Sequence, residues 1–437
     1  MQVRTFLSVV VSMSLLWGAL LGGCASEPKT GSVIFLHPDG SGMGAWSAAR
    51  VLADGPDGDL EWDQLPSVGV YRDHVANRLT SSSNSGGTVH ATGVKVDLDA
   101  FGRTAGGANG KEILDGDGER ASVVLQAMRR GIPVGLVNTG HSAEPGTACF
   151  CAVEDSRHNL DSIVAQLVES DLTVCMGGGE ENFLPKGVRG LYAEGKREDG
   201  RNLLEEAGAL GWTVVRTREE LAAVPANTPR LLGVFAKGHT FNDRTEEDLA
   251  ATELDFYKPE CPTYAEMTAA AIRVLDAHGT RFLLITEEEG TDNFGNLNNA
   301  SGMLEALRRA DEAIGVARGY LASHPRTLVM VAADSDSGGM QLLGLMPDGE
   351  GRIPARVPAR SGNGSPMDGT GGTGTAPFLS APDRTGKRMP FAITWASSDD
   401  LSGGVVVRAD GLNRELVEGS FDNTDVARVI RATLFGE

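Results

Sequence analysis

The sequence predicts an α/β fold, a three-layer α/β/α sandwich built on a mostly parallel central sheet. Two observations predict it: short β-branched runs alternate with amphipathic stretches, and no internal repeat or long Pro- or Ser-rich linker interrupts that alternation. A third is positional. Acidic residues recur just after apolar runs, where an open parallel sheet presents its ligand-binding edge.

The elements follow in order. Runs at 33–36, 134–137, 172–175, 231–235, 282–285, 328–331 and 405–407 are rich in branched apolar residues and bounded by turn residues, as strands require. The clearest helix is 299–320, where Met303, Leu307, Ala310, Ile314 and Ala317 recur every three or four residues and so share one face. Six glycines in SGNGSPMDGTGGTG (361–374) mark a loop. A prior of roughly 150 residues per domain suggests two or three domains for 437 residues, but the unbroken alternation favours one, 31–437. Within it, the charged stretch 186–260 is a candidate lid or crown.

Composition bounds the function. The chain carries 39 Lys+Arg against 59 Asp+Glu, a net charge of −20, with 41% hydrophobic residues and 8 His. That balance is globular and argues against nucleic acid, whose phosphates are met by clustered Lys and Arg. It leaves cations as ligands.

Residues 1–23 read as a lipoprotein signal peptide: a positive start, an apolar run too short to span a bilayer, and Leu21-Gly22-Gly23-Cys24 at the cleavage site. The expectation is an exported bacterial lipoprotein, periplasmic or at the outer membrane, held by a lipid anchor at Cys24 through a tether at 24–30. Cys149, Cys151, Cys175 and Cys261 lack metal-type spacing, and both disulfides and buried thiols fit them.

Three strand ends carry acids. SVIFLHPDGSGMG places Asp39 in a glycine-rich turn, FLLITEEEGTDNFGN places Glu287, Glu288, Glu289 and Asp292, and TLVMVAADSDSGG places Asp334 and Asp336. Each has a plainer reading: a dinucleotide turn, which the Asp39 carboxylate opposes, a solvated acidic turn, or a helix cap. Together, carboxylates from separate strands repel unless a divalent cation lies between them. LTSSSNSGGTVHATGVK adds Ser81, Ser82, Ser83 and Ser85 at a helix start, where a serine is an N-cap or, beside a metal, a nucleophile.

These segments, in this order, resemble the alkaline phosphatases. HPDGSGMG is similar to the family's first metal-binding turn and implies Asp39 as a bridging ligand. SSSNSGGTVHATGVK implies Ser83 as nucleophile, and VNTGHSAEPGTACFCAVEDSRHN implies Arg157 as the phosphate clamp, whose planar fork matches two phosphate oxygens. The two acidic segments imply Glu287, Asp292 and Asp334 as ligands. DLTVCMGGGEENF resembles the family's glycine-rich strand end.

The departures concern histidine. Where the family has zinc-binding imidazoles, the count gives Asn296, Ser335 and Gly371 or Gly372; Ser82 replaces the Asp beside the nucleophile, and Gly146 replaces a Thr, with Thr147 adjacent as a substitute magnesium ligand. No remaining histidine falls on a family ligand position, although His37 and His90 lie near the site in sequence. Oxygen donors suit Mg²⁺, Ca²⁺ or Mn²⁺ better than the Zn²⁺ usual for the family. The expected function is metal-dependent hydrolysis of small phosphate monoesters through a phosphoserine on Ser83. The alternatives are another ester hydrolase of the superfamily, a phosphodiesterase included, or a non-catalytic metal- or phosphate-binding lipoprotein. A sulfatase is disfavoured because no C/S-x-P-x-R pattern lies near Ser83. A homodimer is among the assemblies the resemblance allows.

Overall fold

In a computed structural model, which describes residues 29–104, 110–347 and 349–437, the apolar runs form the strands of one large sheet. Strand β1 (Ser32–Pro38) is buried along its whole length, as a parallel strand covered on both faces must be. It pairs in parallel with β7 (Leu283–Glu288) and β8 (Thr327–Val331). Beyond β7 run β3 (Val134–His141), β4 (Val174–Gly178), β6 (Leu231–Val234) and β5 (Thr213–Val215), all parallel. Beyond β8 come the antiparallel β16 (Val406–Gly411), then β2 (Ser67–Arg72) and β17 (Gly419–Asp422). The order is β17-β2-β16-β8-β1-β7-β3-β4-β6-β5, so the sheet is mostly parallel as predicted.

Helices cover both faces. One apolar layer holds α1 (Met43–Ala53), α7 (Arg218–Ala223), α8 (Glu246–Thr252), α9 (Tyr264–Asp276), α10 (Gly290–Asn296) and α11 (Ala300–Ser323). The other holds α2 (Ser83–Thr92), α3 (Val123–Arg129), α4 (Pro145–Ala148), α5 (Leu160–Glu169), α6 (Leu203–Ala209) and α12 (Asp425–Phe435). Helix α11 buries Met303, Leu307, Ala310, Ile314 and Ala317, the stripe read from the sequence. Its start is fixed by Asn299, whose side chain accepts from the Gly302 N–H at 2.6 Å. Burying each large member of the stripe contributes about 1.5–3 kcal/mol.

A smaller antiparallel sheet joins β10 (Gln341–Gly344), β14 (Pro390–Thr394), β11 (Met367–Gly369), β12 (Gly372–Thr373) and β13 (Phe378–Leu379). The pair β9 (Asp336–Ser337) and β15 (Asp400–Leu401) stands apart. The glycine-rich 361–374, expected as a loop, is therefore partly the β11–β12 hairpin. The stretch 186–260 supplies β5 and β6 to the main sheet, so that much of it is wall, not lid; the apolar run at 231–235 decides this. The four described cysteines are buried free thiols. The expected signal peptide at 1–23 and lipid anchor at Cys24 lie outside the described residues, among which no helix is long and apolar enough to cross a membrane.

Candidate active site

Parallel pairing sets the level of the acids. At the strand ends His37 is in register with Glu287, and Asn138 with Glu287 on the other side. Just beyond β1, Gly40 adopts φ +61, and a Cβ there would stand 2.1 Å from Ser337 Oγ and 2.7 Å from Asp292 Oδ1. The glycine turn is thus packed against 336–341 and leaves no open backbone for a pyrophosphate, which removes the dinucleotide reading.

Asp39, Glu287 and Asp334 are fully buried, Glu289 is 2% exposed and Asp292 8%. Carboxyl oxygens of Asp39, Glu289 and Asp292 lie within 4.8 Å of one another, as do ligand atoms of His37, Asp39 and Glu287. Such burial excludes the solvated acidic turn. Helix capping by Asp334 or Asp336 is excluded too, because Asp334 leads into β9 and Asp336 opens it, with no helix start at either.

His37 sits among the acids. Its Nε2 is 3.5 Å from Asp39 Oδ1 and 4.0 Å from Asp334 Oδ1, and its Nδ1 is 3.5 Å from Glu287 Oε1. Gly146 makes this possible: a Cβ there would come within 1.8 Å of Glu287 Oε1 and 2.8 Å of His37 Nδ1. Among the described residues, Thr147 makes no hydrogen bond to these carboxylates. Its hydroxyl accepts from Asn138 Nδ2 at 2.9 Å, and that amide also donates to Glu287. His90 is buried behind His37, edge-on at 5.4 Å, and bonds Tyr71 instead of a carboxylate.

Asn296 belongs to the site: its Nδ2 donates to both Asp292 oxygens at 3.1 Å and to Asp400 Oδ1 at 3.2 Å. Ser337 Oγ also donates to Asp400 Oδ1, at 2.9 Å, and to Asp292. Asp400 is thus the third group beside Asp292 and Asn296. The placement of that position at Gly371 or Gly372 is corrected, for Gly372 turns in the β11–β12 hairpin, where a Cβ would meet Glu247 Oε1 at 2.2 Å. The single-chain count failed across a segment with no recognisable motif. Glu289 was among the strand-end acids but not among the expected ligands, and Ser337 and Asp400 were not singled out at all. The acidic run and SDSGG hinted at the first two, and DDLSGG before an apolar run at the third.

Electrostatics ask for a cation. Burial pushes Glu287 up to about 7 and lifts Glu289, Asp292 and Asp334 well above the carboxylate range, with neighbouring carboxylates adding to it. Burial opposes the charged form of His37, but Asp39 and Glu287 raise it overall. Both oxygens of Asp39 and of Asp334, with Glu287 Oε1, Glu289 Oε2, Asn296 Oδ1 and Ser335 Oγ, are buried without a hydrogen-bond partner. Like charges about 4 Å apart repel by about 4 kcal/mol at an effective dielectric near 20. The donor set fits divalent metal ions.

Ser83 opens α2 and is 6% exposed. The helix start is tied to the end of β8, because Ser81 Oγ donates to the Asp334 carbonyl at 2.7 Å. Gly86 lets it approach: a Cβ there would lie 2.4 Å from Asp334 Cβ. Ser82, at the N-cap, donates through its Oγ to the Leu98 carbonyl at 2.9 Å. Arg157 lines a cleft of about 570 Å³ with Asn84, which follows Ser83, and with Ser156 and His158. Its Nη2 is 2.9 Å from Glu144 Oε2. Burial alone would raise the Glu144 pKa, but His141 and His239 hold it well below the ordinary carboxylate value.

The comparisons agree with this geometry. The alkaline phosphatase family profile matches residues 30–435. The chain is 26% identical to alkaline phosphatase 3 of Bacillus subtilis over 77% of its own length and 69% of that protein's. It is 27% identical to the Escherichia coli alkaline phosphatase over 72% of each, and 29% identical to the Gallus gallus tissue-nonspecific isozyme, of which it spans only 62%. Its fold is that of the solved alkaline phosphatases of Thermus thermophilus (TM-score 0.71, 22% identity, covering 97% of this chain and 96% of that one) and the Antarctic bacterium TAB5 (0.69, 21%, 93% and 98%). The chain belongs to the alkaline phosphatase family and so stands among the phosphatase hydrolases.

Proposed function

We propose that this chain hydrolyses phosphate monoesters through a phosphoserine on Ser83, with divalent cations held by the carboxylate cluster. The observation that carries the reading is the set of buried, unpartnered oxygens on Asp39, Glu287, Glu289 and Asp334 beside the helix start bearing Ser83. Asp292, Asn296 and Asp400 would hold one ion, and Asp39 with Asp334, Ser335 and Glu287 would hold others. The all-oxygen set at Asp292, Asn296 and Asp400 supports Mg²⁺, Ca²⁺ or Mn²⁺ over Zn²⁺. Bound there, such ions supply Lewis-acid stabilisation of developing negative charge.

The protein's own groups do the rest. Ser83 Oγ attacks phosphorus as the ester oxygen leaves; the new Ser83 O–P bond replaces the broken one, and the alcohol departs with a proton. Water then attacks phosphorus, releasing phosphate and restoring the hydroxyl. The N-terminus of α2 faces the anion, and Arg157 holds nonbridging oxygens, exchanging part of its pairing with Glu144 for the substrate.

Ser83→Ala is expected to lower monoester turnover at least about a thousandfold while leaving thermal unfolding unchanged. A panel of monoester, diester and sulfate-ester substrates with Mg²⁺, Ca²⁺, Mn²⁺ or Zn²⁺ supplied singly checks the rest. Wild-type rates in the variant would reject the nucleophile, and no turnover of any ester by the wild type would favour a binding protein. Export and anchoring at Cys24 are part of the same proposal; Cys24→Ser should abolish incorporation of labelled fatty acid, and retained label would exclude it.

A further inference from the structure

Among the described residues, two further imidazoles meet a carboxylate away from Asp39, Asp292 and Asp334. His141 ends β3, Glu144 precedes α4, and His239 lies between β6 and α8. Glu144 Oε1 is 2.8 Å from His141 Nε2 and 3.0 Å from His239 Nε2, and one ligand atom from each of the three lies within 4.8 Å of the others. Glu144 is nearly buried, while the two imidazoles are 18% and 20% exposed, so an ion can enter from solvent.

The backbone holds this trio in place. Thr240 N–H donates to the Thr139 carbonyl at 2.9 Å, and Gly179 N–H to the Gly238 carbonyl at 2.9 Å, pinning the His239 segment against the end of β3. Glycine at 178 permits the contact, since a Cβ there would come within 1.7 Å of Gly238 O. Asn293 Nδ2 is 3.5 Å from His239 Nδ1; with the amide turned, its oxygen would accept the Nδ1–H of a ring ligated through Nε2.

We propose that His141, Glu144 and His239 form a further metal site, selective for a Zn²⁺-class ion and built from residues other than those of the oxygen-rich cluster. Two imidazoles and one carboxylate with a fourth position open to solvent is a zinc donor set, whereas the cluster at Asp292, Asn296 and Asp400 offers only oxygen. The ion takes Glu144 Oε1, and Arg157 keeps Oε2, so the site borders the cleft that Arg157 lines. The inference does not depend on the phosphatase reading, because its readout is metal binding.

The test uses the mature, chelator-stripped protein in saturating Mg²⁺, which occupies the oxygen sites, titrated with Zn²⁺ or Co²⁺. Expected are one tightly held Zn²⁺ per chain and, with Co²⁺, the visible absorption of a four-coordinate nitrogen-bearing centre. The pair His141→Ala/His239→Ala is expected to lose that absorption and weaken Zn²⁺ binding at least about tenfold, whereas His74→Ala keeps both. If the alanine pair fails to fold by circular dichroism, His141→Asn/His239→Asn replaces it. Unchanged stoichiometry and spectrum in the folded pair, or no Zn²⁺ uptake by the wild type above saturating Mg²⁺, would overturn the proposal.

Discussion

Asp400 carries the sharpest lesson at the scale of single residues. It touches Asn296 and shares Ser337 with Asp292, yet it sits in the two-residue β15 ahead of β16 and not after an apolar run. The reason is direction: β16 is antiparallel to β8, so its beginning meets the sheet edge where the parallel strands end. A search confined to residues following apolar runs passes over it. Asp400→Ala should weaken Mg²⁺ binding at the Asp292–Asn296 position by about tenfold or more, measured by calorimetric titration of the metal-stripped protein. Unchanged affinity would remove Asp400 from the ligand set. Gly146 is informative in the same way, for the missing side chain makes the space in which His37 and Glu287 approach.

Helix α11 was legible because its apolar stripe has the helical period and Asn299 supplies a cap that the sequence displays. Ile314 is fully buried in that stripe. Ile314→Ala should cost about 2–5 kcal/mol in denaturant unfolding, through lost burial and the cavity left behind; a loss well under about 1 kcal/mol would mean the helix packs more loosely than its burial indicates. Helix α2 was less legible. Its ten residues are buried on every side and lack an apolar stripe, so its identity rested on SSSNSGG and the resemblance. The β11–β12 hairpin was invisible for the opposite reason: its strands are too short, and too rich in glycine, to display a period of two.

At the scale of the molecule, the carboxylate cluster ties stability to pH and metal. Glu287 is raised to about 7, and Glu289, Asp292 and Asp334 are also raised well above their ordinary values, so the folded, metal-free protein binds more protons than the unfolded chain. Stability then falls as pH rises from the ordinary carboxylate range through about 7. Without metal, the melting temperature should be lower at about pH 8 than at about pH 5.5, and Mg²⁺ should raise it more at the higher pH, since deprotonated carboxylates bind the ion. Scanning fluorimetry with and without chelator reads both. Equal Mg²⁺ stabilisation at the two pH values would contradict a cluster that exchanges protons for metal.

The amino-acid sequence by itself determined the α/β class, most of the main strands, the apolar face of α11 and the acids at three strand ends, because these depend on local period and on short motifs in chain order. Only the tertiary structure decided what converges: Asp400 reaching the site from an antiparallel strand, His37 entering the space opened by Gly146, Thr147 diverted to Asn138, and His141 meeting His239 across Glu144. Those contacts join residues far apart in the chain, as His37 and Glu287 are. No local pattern encodes them, since sheet order and strand direction, not neighbouring sequence, bring the groups together.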